Sequence, residues 1–590
     1  MKLELSLSAT RPCAALAIAW FVALHPTPAA AQAVSLLSAT PAGATGNGRS
    51  LKPSISADGW VVSFQSKASD LWPGDANNVS DVFVNNGFTG LIELCSVSSA
   101  GLQANDLSIA PSICGDAHLV AFQSTATNLV AGDTNNLSDC FVHDRTNGLT
   151  WRISVDSNGG QSDGNSDGVA FSADGRCVAF RSSATNLVPG DTNASPDIFV
   201  VELASGAIER VSVSSQGAEG NPGPGSDRAS LSGDGRLVAF DSAAANLVAG
   251  DNNGVIDCFV HDRTNGSTIR VSTNAVGVEG NGQSVEATIS QNGRFVVFES
   301  AASNLILADN NGLEDVFIKD LQFGAIRRAS VSSSGLEADG ISLGASLSAD
   351  GRCVVFTSAA TNLVVGDTNA RRDVFVRDLL AQETLRLSLG ASGSEGDGDS
   401  QNAAISAEAR RIAFQSQATN FATSDPNAVE DIFHSNRLFA YVYPTIYCTA
   451  KLNSQGCVPA IASSGASSAT ATQGFVISAT NVLNGKAGQL LYTVDGSAST
   501  PFQGGTLCLR FPHRSKVVNS GGSLPPALDC SGVYSLDMNA FASGTLGGAP
   551  ILALHVPGAL VYCQWWGRDP GFPAPLNTTL SDALYYWVEP

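Results

Sequence analysis

Short apolar runs closed by phenylalanine recur along most of the chain. In Ser172-Ala173-Asp174-Gly175-Arg176-Cys177-Val178-Ala179-Phe180-Arg181-Ser182 a polar Asp-Gly turn separates two stretches of β-forming residues, and Asp197-Ile198-Phe199-Val200 follows fifteen residues later. The closing phenylalanine falls at Phe64, Phe122, Phe180, Phe240, Phe298, Phe356 and Phe414, at spacings of 58, 58, 60, 58, 58 and 58 residues. A period this steady means a repeat architecture, so the fold follows from the unit. Within residues 167–213 the pattern predicts four strands, at 168–172, 177–180, 197–201 and 208–213. Tight turns join the first pair and the last pair, and a long polar connection, 183–193, joins the second strand to the third. Four short antiparallel strands with no helical periodicity between units predict a propeller blade. Seven copies predict a seven-bladed ring, with an open solenoid as the alternative.

The ends of the repeat bear on closure. The last unit has its third strand at Asp431-Ile432-Phe433-His434 but lacks an Arg-Val-Ser-Val strand after it, whereas Val34-Ser35-Leu36-Leu37-Ser38 reads as an orphan fourth strand. Completing the seventh blade with this N-terminal strand would close the ring without a free edge. The two long connections of each unit, strand two to strand three and strand four to the next blade, emerge on one face of the disc because strand direction alternates. The other face keeps tight Asp-Gly and Asn-Gly turns, so function is expected on the elaborated face.

These Ala-Asp-Gly-Arg-x-Val-Ala-Phe units resemble the repeats of TolB-like β-propellers, periplasmic and extracellular proteins with an Asp-Gly turn between the first two strands. The resemblance covers residues 34–439 and implies the fold. Such propellers include binding proteins, assembly platforms, peptidase accessory domains and lyases, so it leaves function open.

Composition narrows the partners. With 32 Lys+Arg against 53 Asp+Glu the chain carries a formal charge of −21, which repels phosphate backbones and excludes nucleic acid as a natural partner. Lys2 and Arg11 precede the apolar run 13–24 and the small-residue segment Ala29-Ala30-Ala31-Gln32-Ala33, a pattern that reads residues 1–33 as a signal peptide. At about twelve residues the run is short of the roughly twenty needed to span a bilayer. The expected mature protein is a periplasmic or extracellular monomer with no membrane span.

The connection between the second and third strands repeats an Asp-x-Asn-x-x-x-Asp pattern. It reads Asp75, Asn77 and Asp81; Asp133, Asn135 and Asp139; Asp191, Asn193 and Asp197; and Asp251, Asn253 and Asp257. It continues with Asp309, Asn311 and Asp315; Asp367, Asn369 and Asp373; and Asp425, Asn427 and Asp431. Glycine precedes five of these loops, while Ala308 and Ser424 precede the fifth and seventh. Oxygen donors at alternate positions suit calcium, but Asp and Asn also bond their own backbone in Asx-turns, and the turn reading is preferred. No cofactor other than calcium is suggested and no catalytic residue is assigned. Ser342 matches a nucleophile-elbow spacing in the wrong context. His143, His261, Lys319 and Arg377 interchange at one position, as expected of a solvated strand end.

After Tyr441-Val442-Tyr443-Pro444 the period stops. The boundaries are therefore 34–440 for the propeller and 445–590 for a C-terminal module, read from strand-like runs at 474–479, 489–494, 506–511, 551–556, 559–566 and 583–588 as a small antiparallel sandwich. Cys448 and Cys457 enclose a short loop, and Cys508 and Cys530 bracket a Pro/Gly-rich segment; these are the expected bridges, although five cysteines with Cys563 permit other pairings. Cys95, Cys114, Cys140, Cys177, Cys258 and Cys353 are expected as buried thiols. Trp565 and Trp566 are candidates for a sugar-stacking platform, although alternate strand residues face opposite ways. The phrases Tyr447-Cys448-Thr449-Ala450-Lys451 and Gln564-Trp565-Trp566-Gly567-Arg568-Asp569-Pro570 resemble a C-terminal module of secreted planctomycete-type bacterial proteins. The leading functional expectation is a non-catalytic exported propeller that binds a protein or polysaccharide partner through an acidic loop face. A polysaccharide lyase or hydrolase with its site at the channel, and a structural envelope component, are the alternatives.

Overall fold

The computed structural model describes residues 34–590 except 224, 308, 391–392, 423–424, 426, 437–444, 449, 466, 495, 523–527, 556–558 and 589–590. The expected signal peptide, the Tyr441–Pro444 joint, Ala308 and Ser424 lie outside the described residues.

The repeat folds into seven four-stranded antiparallel sheets. In the third sheet, Ser166–Phe171, Cys177–Ser182, Asp197–Glu202 and Ala207–Arg210 pair in sequence order. Strand formation follows from the alternation of β-branched and aromatic residues, and the two middle strands are nearly all buried because each sheet is sandwiched between neighbours. The repeated phenylalanine pairs with one on the third strand, Phe180 with Phe199, and in all seven sheets such rings stack at 5.8–6.1 Å. Between sheets, apolar clusters combine residues of successive repeats; Val178 and Phe180, for example, share a cluster with Ala121 and Val142.

The seventh sheet is completed from the other end of the chain. Ser35–Leu36 pairs antiparallel with Asp431–Asn436, Leu36 opposite Phe433, as the orphan strand predicts. First strands contact one another from sheet to sheet all the way round, including Ser50–Ile55 against Ser400–Ile405 of the seventh sheet, so they line the axis of a closed ring.

The C-terminal region is a sandwich. Thr445–Tyr447, Ala487–Thr493, His513–Asn519, Leu560–Arg568 and Thr578–Trp587 form one sheet, and Ala460–Gly465, Phe475–Val482 and Gly532–Asp537 another, with a two-stranded ribbon at Ser497–Phe502 and Gly505–Leu509. Both larger sheets contribute to one core, in which Ile477 and Tyr534 meet Leu490, Tyr492 and Trp565. The run at 551–556, read as a strand, contains instead a short 3-10 helix, Leu552–His555.

Two bridges join Cys448 to Cys508 and Cys457 to Cys530. This corrects the local pairing expected from spacing. The ribbon strand carrying Cys508 is held beside the sheet by Gln564 and by the Tyr447 hydroxyl, which donates to the Cys508 carbonyl at 2.9 Å, and so lies next to Cys448. Among the described residues seven further cysteines lie outside these two bridges, and all are buried.

Candidate functional site

The Asp/Asn loops are built alike in every sheet. The Asn side-chain oxygen accepts the backbone N–H two residues on, which is the Asx-turn. Its amide donates to the second aspartate and also to a carbonyl of the connection leading to the next blade, Asn193 to Gly220 for example, so both long connections lie on one face. A serine two residues beyond the fourth strand donates to the same aspartate, as Ser212 does to Asp197 at 2.5 Å.

Five of these loops enclose a cation that the protein supplies. Arg152, Arg210, Arg270, Arg328 and Arg386, each opposite the third-strand phenylalanine, place a guanidinium 3.2–3.4 Å from both loop aspartates. Glu219, Glu279, Glu337 and Glu395 add a third carboxylate at 2.6–2.9 Å, and Gln161 replaces it in the second sheet. The arginine side chains are at most 10% exposed, so these are buried ion clusters rather than a displayed acidic ring. Burial pushes Asp191 and Asp367 up to about 6 despite the arginines. In the first sheet Leu94 takes the arginine position and Gln103 donates instead, to Asp75 at 2.7 Å and to Asp81 at 2.9 Å. In the seventh sheet no basic side chain among the described residues pairs with Asp425 or Asp431. The arginines belong to strands legible in the sequence, but their destination needed the loop's curl.

The interchanging position is also corrected. His143, His261, Lys319 and Arg377 are 3–7% exposed: the Lys319 ammonium donates to the Thr273 and Asn274 carbonyls and Arg377 to that of Ser332, each on the preceding sheet's connection, whereas His143 and His261 pair with Thr150 and Thr268 of their own sheets. What they share is donor capacity, not contact with solvent. Ser342 is fully buried against Ser358, which removes it as a nucleophile. Cys114 lies 3.1 Å from Asp116 and 3.5 Å from His118, but burial pushes its thiol up to about 11, away from a reactive thiolate. Trp565 is 1% exposed and stacks on Tyr534 in the sandwich core, while half-buried Trp566 faces the other way, so the two cannot form one platform.

Where the sheets differ from one another is the axis. Each first strand shifts register at its third residue, which adopts the left-handed region: Lys52, Ala110, Gly168, Arg228, Glu286, Gly344 and Asn402, with φ of 39–65°. Glycine meets that demand without strain, whereas a bulky side chain costs about 1–2 kcal/mol there. The Lys52 ammonium is pulled down by burial and by Arg228, with Glu286 opposing. Because the first sheet adjoins neither the fourth nor the fifth, Lys52 feels the charges of Arg228 and Glu286 from across the channel.

Around them the charges are concentrated on one arc. Arg228 pairs with Glu286 at 2.6 Å, and Arg181 lies 3.1 Å from Asp167 and 3.6 Å from Asp227. Beneath, the second strands carry Gln65, Gln123 and Gln415, each of which accepts the backbone N–H of the next sheet's bulge residue at 2.8–3.2 Å. At the same position Glu299 accepts from Gly344, but Asp241 does not reach, and one of its carboxylate oxygens is buried without a partner. Burial, with Asp227 and Glu286 nearby, pushes Asp241 up to about 8; burial and Glu286 push Glu299 up to about 7. Beneath the channel-lining charges lie two buried carboxyl groups pushed up towards neutrality, beside the cations Lys52, Arg181 and Arg228. The sequence reading missed all of them, although aligning the repeats on Ser50, Ser226 and Ser284 exposes Lys52, Arg228 and Glu286 two residues on.

Fold and site together define a β-propeller with a channel-mouth cluster, followed by a β-sandwich. No family model and no curated protein matches the chain. Among solved structures it is similar to TolB from Acinetobacter baumannii, with 16% identity, 58% of this chain covered and a TM-score of 0.33; the chain spans only 65% of that protein. It is also similar to an oligogalacturonate lyase in complex with manganese (10% identity, 70% of this chain and 95% of that one, TM-score 0.44). A third is the β-propeller domain of the Trilobed protease from Pyrococcus furiosus (10% identity, 66% and 96%, TM-score 0.41). At identities and scores this low the comparison concerns architecture and says nothing of this chain's activity. No helix of the described residues is long and apolar enough to cross a membrane.

Proposed function

We propose that this protein is an exported TolB-like β-propeller, spanning residues 34–440, that binds a protein or polysaccharide partner on its loop-bearing face, with recognition centred on the mouth of the channel. The observation that carries the reading is the broken symmetry of the axis. At a position where glycine fits best, the first, fourth and fifth sheets carry Lys52, Arg228 and Glu286 in the left-handed region. Strain accepted for charged side chains that face one another across a channel is characteristic of a binding site. The loop acids, by contrast, are mostly consumed by arginines of their own sheets. Export is supported by the N-terminal pattern and by the two bridges of the C-terminal module, residues 445–590, which we read as an attachment or stabilising unit.

Pull-down from envelope extract, with wild type and the Lys52→Ala/Arg228→Ala double variant, tests this. The expected result is a stoichiometric partner captured by wild type and lost by the variant at unchanged melting temperature. Equal capture by both would overturn the placement of the site.

One observation favours a second reading, a lyase or hydrolase acting in the channel: burial and neighbouring carboxylates push Asp241 up to about 8 and Glu299 up to about 7, into the range in which a general acid or base works best. Turnover on a panel of polysaccharides, abolished by Asp241→Asn, would establish it in place of the first.

A further inference from the structure

The seven loops form a set of internal controls that differ in what neutralises the two aspartates. Five hold a guanidinium and one holds the amide of Gln103. In the seventh, the strand donated by the N-terminus places Leu36 opposite Phe433, where an arginine stands in those five sheets. The Ala39–Thr45 bridge likewise places Thr45 where Glu219, Glu279, Glu337 and Glu395 reach the arginine.

The consequence is a group of orphaned oxygens. Both Asp425 carboxylate oxygens are buried without a hydrogen-bond partner of good geometry among the described residues; only the amides of Asn427 and Ala428, in its own loop, face it. Thr45, itself 7% exposed, also has an unpartnered hydroxyl. Asp431 is fully buried, takes bonds from Ser38 at 2.6 Å and from Asn427 at 3.3 Å, and feels Asp425 as a like charge. Two buried carboxylates with neither a cation nor a full set of donors are costly unless a ligand supplies the missing charge.

We propose that the seventh sheet binds one hard divalent cation of the calcium type between Asp425 and Asp431, with Thr45 as a further oxygen ligand. The geometry is set by the repeats, where a single guanidinium nitrogen lies about 3.2–3.4 Å from both equivalent carboxylates. A cation at that point requires the oxygens to close by less than about 1 Å to reach the 2.3–2.6 Å of calcium–oxygen bonds, with water completing the shell. The ion would join Thr45, on the segment that follows the closing strand, to the loop before Asp431, and so fasten the two ends of the ring.

The test is metal analysis of the mature chain after chelator treatment and dialysis against calcium, together with thermal melts. One ion per chain is expected, with calcium raising the melting temperature by roughly 2–4 °C at saturation. Asp425→Asn should weaken binding on the order of tenfold or more, whereas Asp133→Asn, in a loop served by Arg152, should leave the stoichiometry at one. Leu36→Arg supplies the missing guanidinium and should abolish both calcium binding and the calcium-dependent rise, which keeps the proposal testable if Asp425→Asn folds poorly. No bound ion, about seven bound ions, or one ion retained by Leu36→Arg would each overturn it.

Discussion

Asp241 shows how a single methylene sets a site apart. Glutamine at its position in three sheets, and Glu299 in the fifth, reach the next sheet's backbone N–H; the shorter aspartate leaves an oxygen buried and unpaired. Its folded value of about 8 lies above its ordinary 3.8, so the folded state holds the proton more tightly than the unfolded chain. For an acid raised in this way, stability falls as pH rises from about 4 to about 8, where the unfolded carboxyl ionises and the folded one resists. Asp241→Asn should therefore raise the melting temperature by an amount that is absent near pH 4, grows towards pH 8 and then levels off. Melts across that range check this; a gain independent of pH would mean that the carboxyl titrates normally. That the unmutated protein keeps such a group is the pattern of a site that trades stability for function.

At the level of the element, the loop between the second and third strands is held by its own sheet. Arg328, 3% exposed, pairs with Asp309, Asp315 and Glu337, and so connects the fourth strand, the loop and the interblade connection. Removing the guanidinium leaves three carboxylates without a counter-charge, and Arg328→Leu should cost about 3–5 kcal/mol, measured by denaturant unfolding. The fourth strand and the Asp/Asn loop were each legible in the sequence, the first from its alternation and the second from its spacing. Their meeting was not, because it depends on the pairing of Phe317 with Arg328 and on the Asx-turn that curls Asn311 back over Asp315. The disulfides carry the same lesson: the four cysteines were legible as bridge partners, but the pairing was decided by the ribbon strand folding back beside Gln564.

Across the whole molecule, closure depends on five residues at one end of the repeat. Leu36 pairs with Phe433, the Ser38 hydroxyl donates to Asp431, and the Leu37 carbonyl accepts the amide of Asn85, so this segment joins the seventh sheet to the first. Deleting residues 34–38 would leave Asp431–Asn436 as an open edge. Such a truncation should melt several degrees lower and associate with rising concentration, as light scattering would show; a monomer of unchanged melting temperature would mean that the ring closes without it. The sequence alone determined the number of units, their four strands, the closing strand and the face that bears the long loops, because each of these follows from local periodicity and alternating strand direction. Only the tertiary structure decided which charges meet. Arginine and aspartate of one sheet are brought together by strand pairing, and Lys52, Arg228 and Glu286 by the curvature that folds distant repeats around one axis. Proximity across a ring is a property of the closed fold, and no spacing along the chain encodes it.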